Sequence, residues 1–457
     1  MAGIASLFAT YWDDAWHTDI GRDDALIPPH LLLYGAVAVA GLAVAVWGAA
    51  VVWRARSLAG VLRDPGLSTA ATGGAVTLGA GVADAWWHEM FGRDSVLWSP
   101  PHILAVFGTV ALIVGVLAGL GKNAPPGLRS VAGALLLGSA LIAVLEFETD
   151  VPQFSESFYL PVLLISALFS MAVIQQLALG PWPMVRVVAI YVVVRLLIAG
   201  LLVVLGRSAP DVPLAVAGLV VADLRWRSKS LAYAAGAAGV SVTSVLSSVL
   251  GVASVPVVSV LPVALTVVAV FLVVLAAGSF RRAAAAIAVA AALVPMGSQD
   301  RAEAHDPGQG EIVAQAKLTG ASDGHGTLTL AGILPVDCSA ARTCRILARR
   351  AGETRTGAVT TSGGQVLGMV KVPPTGRWFT YLEVKVKQGM AETWLPLDAG
   401  VPQRTSQRRE LYLPAGRAGG EGFGPAEVVS GVVLYAIGLA VLMLALVQTR
   451  RIGRSIA

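Results

Sequence analysis

The chain has 457 residues, 56% of them hydrophobic and only 13% charged, with a mean hydropathy of +0.72. So little polar surface cannot cover a water-soluble globule, which places the chain in a bilayer with membrane lipid as its first partner. The formal charge of +5 does not point to nucleic acid, because Lys and Arg fall in short clusters between apolar stretches instead of on one continuous face.

In chain order, the opening MAGIASLFATYW is too short to span and has no cleavage site, so 1–30 is expected to begin as an interfacial helix and not as a signal peptide. Apolar stretches follow near 31–53, 69–87, 103–121, 130–146, 157–178, 187–206, 211–223, 231–251, 256–278, 283–297 and 425–448. They predict a polytopic α-helical membrane protein with about eleven transmembrane helices, 211–223 and 283–297 being short for a core of about 30 Å. The basic clusters Arg54/Arg56/Arg63, Lys122/Arg129, Arg186, Arg225/Arg227/Lys229, Arg281/Arg282 and Arg450/Arg451 fall on alternate connections. The positive-inside rule then puts the N-terminus outside and the C-terminus in the cytoplasm, in the cell (inner or plasma) membrane. Residues 1–30, the 88–102 connection, Glu146/Glu148/Asp150 and 298–424 become extracytoplasmic. In 298–424, Leu382, Val384 and Val386 alternate with Glu383, Lys385 and Lys387 among Gly and Pro turns. This predicts an extracytoplasmic β-sandwich inserted between the helical domain 31–297 and a last helix in 425–457. Cys338 and Cys344 both lie in that domain, which suggests a disulfide formed in an oxidising compartment, with a two-cysteine metal site as the alternative.

The chain carries one pattern twice. YWDDAWHTDIGRDDALIPPH (11–30) and VADAWWHEMFGRDSVLWSPPH (82–102) share an Asp, a Trp, a His, Gly-Arg-Asp and Pro-Pro-His, and internal duplication is evidence in itself. Asp13 and His17, like Asp84 and His88, are one helical turn apart, so their side chains share a face. Gly21 and Gly92 should break the helix, and Pro28/Pro29 and Pro100/Pro101 should open the next, where proline is tolerated. His30 and His102 would then face back toward each pair. Two imidazoles and one carboxylate make a three-ligand transition-metal site with open positions, and four of the six histidines fall in these motifs. The alternative is that each His caps a helix end or hydrogen-bonds its Asp at the membrane interface. Trp12, Trp16, Trp86 and Trp87 suit the interfacial aromatic belt. Arg22–Asp23 and Arg93–Asp94 suit either ligand-orienting pairs or loop salt bridges.

The spacing Asp-x3-His-x12-His followed by Asp-x3-His-x13-His, in an Asp-Ala-x-Trp-His … Arg-Asp … Pro-x-His frame, resembles the C-type subunit of the copper membrane monooxygenases, the particulate methane and ammonia monooxygenases. The resemblance covers about residues 10–105, a quarter of the chain. It implies two adjacent sites, Asp13/His17/His30 and Asp84/His88/His102, that take copper, with zinc or iron as alternatives. It further implies dioxygen and a small apolar substrate as reactants, and other monooxygenase-type subunits as partners. Asp84 stands where that family has Asn, which makes the second site more anionic. Few residues precede the first site, where the family has a membrane helix, and the remaining helices and outer domain have no matched counterpart. RAEAHDPG places an Ala-x-Ala-like sequence before His305. Cleavage there would expose an amino-terminal histidine, as in the family's B-type subunit, and with His325 nearby would make a third site; the alternative is an uncleaved linker.

Arg195, within an apolar span, is a functional candidate unless it is paired. Glu146, Glu148 and Asp150 could supply a fourth ligand or a proton route, or simply a solvated helix end. The expected function is a copper-dependent monooxygenase or a subunit of one, with no catalytic residue distinguished beyond the metal ligands and no organic cofactor site. The rival is an extracytoplasmic protein that acquires, stores or delivers copper without catalysis. A third reading keeps the motifs as interfacial structure alone.

Overall fold

The computed structural model describes residues 1–20, 26–91, 97–121, 124–277 apart from 153 and 178, 311–334, 344–413 apart from 363–364 and 388, and 424–456. Gly21, Gly92, the Arg22–Asp23 and Arg93–Asp94 pairs, the 283–297 span, His305 and Cys338 lie outside these.

Twelve α-helices are described: α1 Ala2–Asp19, α2 Pro28–Ala55, α3 Ala59–Arg63, α4 Pro65–Phe91, α5 Pro100–Gly119, α6 Pro126–Leu141, α7 Leu145–Glu148, α8 Tyr159–Gln176, α9 Pro183–Val204, α10 Lys229–Val249, α11 Val257–Ala277 and α12 Pro425–Ile456. Among the described residues, eight helical runs are long and apolar enough to cross a membrane: α2, α5, the continuous Pro126–Glu148, Glu156–Gln176, α9, α10, α11 and α12. The 27-residue α4 matches them in length, but its Gly and Thr content lowers its hydropathy.

That same glycine content gives α4 its place. A Cβ on Gly73 would overlap the backbone of Ala111 and Leu112, and one on Gly115 would overlap the backbone of Ala70. Small residues at these positions let two helix backbones approach closely, which in lipid substitutes for a hydrophobic driving force. The α4–α5 hairpin is therefore packed along its whole length. α12, which follows the β domain in sequence, returns to this hairpin, with Gly431 against Pro100 and Trp87, and Gly438 against Phe107.

The expected short span at 211–223 is a ten-residue 3-10 helix, Leu214–Asp223. Its approach is held where Asp211 N donates to Glu148 O (2.7 Å), and its end where Asp223 Oδ2 accepts from Val185 N (2.9 Å) in the first turn of α9. It thus runs antiparallel along the part of α9 between Arg195 and Val185, and at about 2.0 Å per residue its ten residues reach about 20 Å, short of a membrane core of about 30 Å. Gly218 lies directly against Gly239 of α10.

α1, expected at the interface, packs on α2 through the first Asp/His/His set and on two further helices. Gly3 meets Leu135 and Leu7 meets Gly138 of α6, while Tyr11 lies under Arg195 of α9. Leu7, Tyr11 and Ala15 share a cluster with Ile142, Leu145, Ile198 and Leu202, flanked by Leu97 and Val106. At the opposite end of the bundle, Arg129 donates to Leu177 O and Arg186 to Leu179 O, so part of the basic set gathers there.

The β domain follows the helices as expected, but among the described residues its nine strands form one antiparallel sheet and not two separately bonded layers. In the order β4-β3-β7-β8-β9-β1-β2-β6-β5, these are β1 Glu311–Asp323, β2 Thr327–Ile333, β3 Cys344–Arg350, β4 Glu353–Thr356, β5 Ala358–Ser362, β6 Gln365–Lys371, β7 Arg377–Val386, β8 Gly389–Asp398 and β9 Pro402–Leu413. Consecutive β4 and β5 sit at opposite edges, and Gly357 N between them donates to Ile346 O of β3 (2.9 Å), so the sheet curls into a near-barrel. Curling shields edge strands from pairing with other chains. Leu318, Leu330, Ile346, Val370, Leu382 and Leu395 fill its interior. Cys344 is disulfide-bonded.

One outer face docks on the helical domain. Leu347, Phe379, Tyr381, Trp394 and Tyr412 enclose Val151. Arg350 pairs with Asp150 (2.5 Å) and with Glu156. Asp150 also accepts from Arg377 N (2.7 Å), and Ala351 N donates to Pro152 O (2.9 Å).

Two outcomes are expected. Gly115→Val should force α4 and α5 apart and cost about 1–3 kcal/mol by overpacking, read as a lower thermal unfolding midpoint in detergent. Arg350→Ala should leave two acidic groups facing a buried seam, at a cost of about 3–5 kcal/mol. It should show as faster hydrogen exchange in 150–156 and β3, with the transmembrane helices unchanged.

Candidate metal centres

Each triad is built by a helix end meeting a helix start. α1 stops at Asp19, two positions before Gly21, and α4 at Phe91, one position before Gly92, while Pro28/Pro29 and Pro100/Pro101 occupy the first two positions of α2 and α5. His17 and His88 lie in the last turns of their helices, where the partial negative charge of the terminal carbonyls favours a cation. His30 and His102 are third in the helices that turn back.

The structure brings together all six residues picked out from the sequence. In the first triad, Asp13 Oδ1 lies 3.5 Å from His17 Nε2 and 3.1 Å from His30 Nε2. In the second, Asp84 Oδ2 is 3.5 Å from His88 Nε2, and Asp84 Oδ1 is 3.3 Å from His102 Nε2. The candidate ligand atoms within each set all fall within 4.8 Å of one another. Atoms about 2.1 Å from a shared ion, at angles between square and tetrahedral, would stand about 3.0–3.4 Å apart. The Asp–His separations lie within or just above that range, so each carboxylate and its two imidazoles stand at distances that a shared ion spans. Burial opposes ionisation of Asp13, but the attraction of His17 and His30 prevails and holds its carboxyl well below the usual carboxylate range. The carboxylate is thus the form ready to ligate.

The two sites differ. Asp14, next to the first triad, is matched in the second copy by Ala85. Burial pushes the Asp14 carboxyl up to about 7, against the pull of His17 and the Thr149 hydroxyl. The second site is the more open, with the His102 side chain 34% exposed against 17% for His30.

The acidic stretch after α6 lies between the sites and is committed to other partners. Glu146 Oε1 accepts from Leu97 N (2.7 Å), in the segment leading to His102. Glu148 Oε2 takes Arg195 Nη2 (2.5 Å) and the Tyr11 hydroxyl (3.3 Å). Asp150 belongs to the seam with the β domain. Arg195 is therefore paired, and its guanidinium also stacks 3.7 Å over the Tyr11 ring. Among the described residues, no acidic group joins either triad as a fourth ligand. His325 sits in the β1–β2 turn, its backbone N–H bonded to Asp323 Oδ1 (2.7 Å), and joins no metal cluster among the described residues.

Sequence reasoning missed Tyr435 of α12, whose hydroxyl donates to Trp98 O (2.5 Å), four residues before His102. No local signal could have found it, since the partners are separated by more than three hundred positions. It also missed Ser208, which donates through both N and Oγ to Asp19 (2.6 Å each) at the end of α1.

Comparison with family models, with curated proteins and with solved structures finds no match to this chain. The site must therefore be read from its own geometry.

Tyr435→Phe should free the connection before His102 and lower metal affinity at the second site by about tenfold, the lower end of losses seen when supports of metal ligands are removed. Metal titrations of Tyr435→Phe against wild type, each combined with His17→Ala to silence the first site, would read this.

Proposed function

We propose that the chain is a copper-binding membrane protein, remotely related to the C-type subunit of the copper membrane monooxygenases, that serves oxygen-dependent hydroxylation of a small apolar substrate. The observation that carries this reading is the convergence of both Asp/His/His sets at ion-sized separations, in the same order and spacing as the family resemblance. Imidazole-rich sites favour copper over zinc by intrinsic affinity, with iron a weaker fit, although metal supply can reverse the order. Copper, when bound, would supply the redox chemistry.

The chain's own residues would do the rest. Neutral His17, His30, His88 and His102 would hold the metal through Nε2, while Asp13 and Asp84 would offset its charge and leave positions open. Trp87, buried at the α4–α12 contact, would help to keep the second site dry. Other subunits would complete the assembly, as in the family.

The sidedness of the sites is part of this proposal. Arg129 and Arg186 lie at the end of the bundle away from the triads, which supports the positive-inside assignment. The triads and the β domain would then face the extracytoplasmic side, with the C-terminus in the cytoplasm and about eleven crossings in all.

A second reading, extracytoplasmic copper acquisition, storage or delivery without catalysis, draws support from the more open second site, because exchange with a partner needs an accessible ligand. Elemental analysis of wild type beside His17→Ala/His88→Ala tests the sites: copper in the wild type and none in the folded double variant is the expected result. Copper-dependent oxygen uptake with an alkane or ammonia would then favour catalysis, and transfer to an acceptor without oxygen uptake would favour delivery. Absence of metal from both proteins would rule out both readings and leave the motifs a structural role.

A further inference from the structure

We propose that a small cavity beside Glu148, apart from both triads, binds a monovalent alkali cation of the sodium class. Glu148, Tyr159, Asp211, Ser247 and Ser254 supply its polar lining. Glu148 is only 4% exposed, and its carboxylate is half used. Oε2 takes Arg195 and Tyr11, whereas Oε1 is buried with no hydrogen-bond partner. A buried acceptor left unmet is costly, so this oxygen calls for an occupant.

Charge decides what kind. Glu148 and Asp211 bring two carboxylates. Arg195 brings one guanidinium, and its Nη2 is spent on Glu148 Oε2 and on Asp211 O (2.6 Å). Asp211 Oδ2 accepts from Ser254 N (2.7 Å) and from Ser254 Oγ, which satisfies its hydrogen bonding but not its charge. One net negative charge remains in a buried place, where an uncompensated ion is strongly disfavoured. A water molecule would meet Oε1 and leave that charge; a divalent ion would overshoot it. Every lining donor is an oxygen, with no imidazole or thiolate, and such a set selects hard cations over copper or zinc.

Such an ion would tie the segments around Asp211 and Ser254 to the end of α7, beneath Tyr11. The site is independent of what the triads bind, so its test can fail without touching the copper reading. The full-length protein is exchanged into choline chloride, and sodium is titrated in at constant ionic strength while the thermal unfolding midpoint and the sodium NMR line width are followed. The midpoint is expected to rise by a few degrees and saturate, as mass action requires for a ligand of the native state. Excess line broadening should vanish in Glu148→Gln and weaken in Asp211→Asn, each checked for an unchanged gel-filtration profile and helical circular dichroism. If Glu148→Gln does not fold, Asp211→Asn and the wild-type titration carry the test. Equal midpoints in sodium and choline, or broadening retained in the folded variants, would overturn the proposal. So would a neutral-carboxyl infrared band, lost in Glu148→Gln and unmoved by sodium, since that would assign the cavity to a proton.

Discussion

The arrangement at the site-bearing end of the bundle depends on the buried ion pair between Arg195 and Glu148. Arg195 is fully buried within α9, where an unpaired charge would not be tolerated. Its counter-ion ends α7, a single turn whose other carboxylate, Glu146, holds the connection before His102. Tyr11 closes the pair from α1, stacked on the guanidinium and bonded to the carboxylate. One short acidic turn therefore supports the helix that carries Asp13 and His17 and the segment that delivers His102. Buried ion pairs add little net stability but are costly to break, which suits a pair whose role is placement.

The two copies of the motif use this support differently. The second rests on a hairpin so tightly packed through Gly73 and Gly115 that its helices have little freedom to separate. The first rests on α1, which owes its position to α2, α6, α9 and the bond from Ser208 to Asp19. Duplication thus preserved the ligand geometry while the surroundings diverged, as Asp14 opposite Ala85 also shows.

The β domain belongs to the same end. Its aromatic face encloses Val151, Arg350 reaches Asp150 and Glu156, and Arg377 donates to Ser208 (3.3 Å), the residue that holds Asp19. Mechanical continuity therefore runs from the domain through the 208–211 segment to the end of α1. α12, which follows the domain in sequence, reaches the segment before His102 through Tyr435.

Much of this was legible in the sequence because it is encoded locally. One-turn spacing places Asp13 with His17 and Asp84 with His88, glycine and proline mark where helices stop and restart, and apolar length marks the spans. The 211–223 stretch was read as a short span because hydropathy does not distinguish a 3-10 helix from an α-helix, and the β domain looked like a sandwich because alternation does not reveal how a sheet closes. What only the tertiary structure decided are contacts between positions far apart in the chain: Arg195 with Glu148, Glu146 with Leu97, Tyr435 with Trp98, Arg350 with Asp150. A sequence pattern states which side chains share a face of one helix, but which faces meet is settled by packing and by the need of each buried charge for a partner.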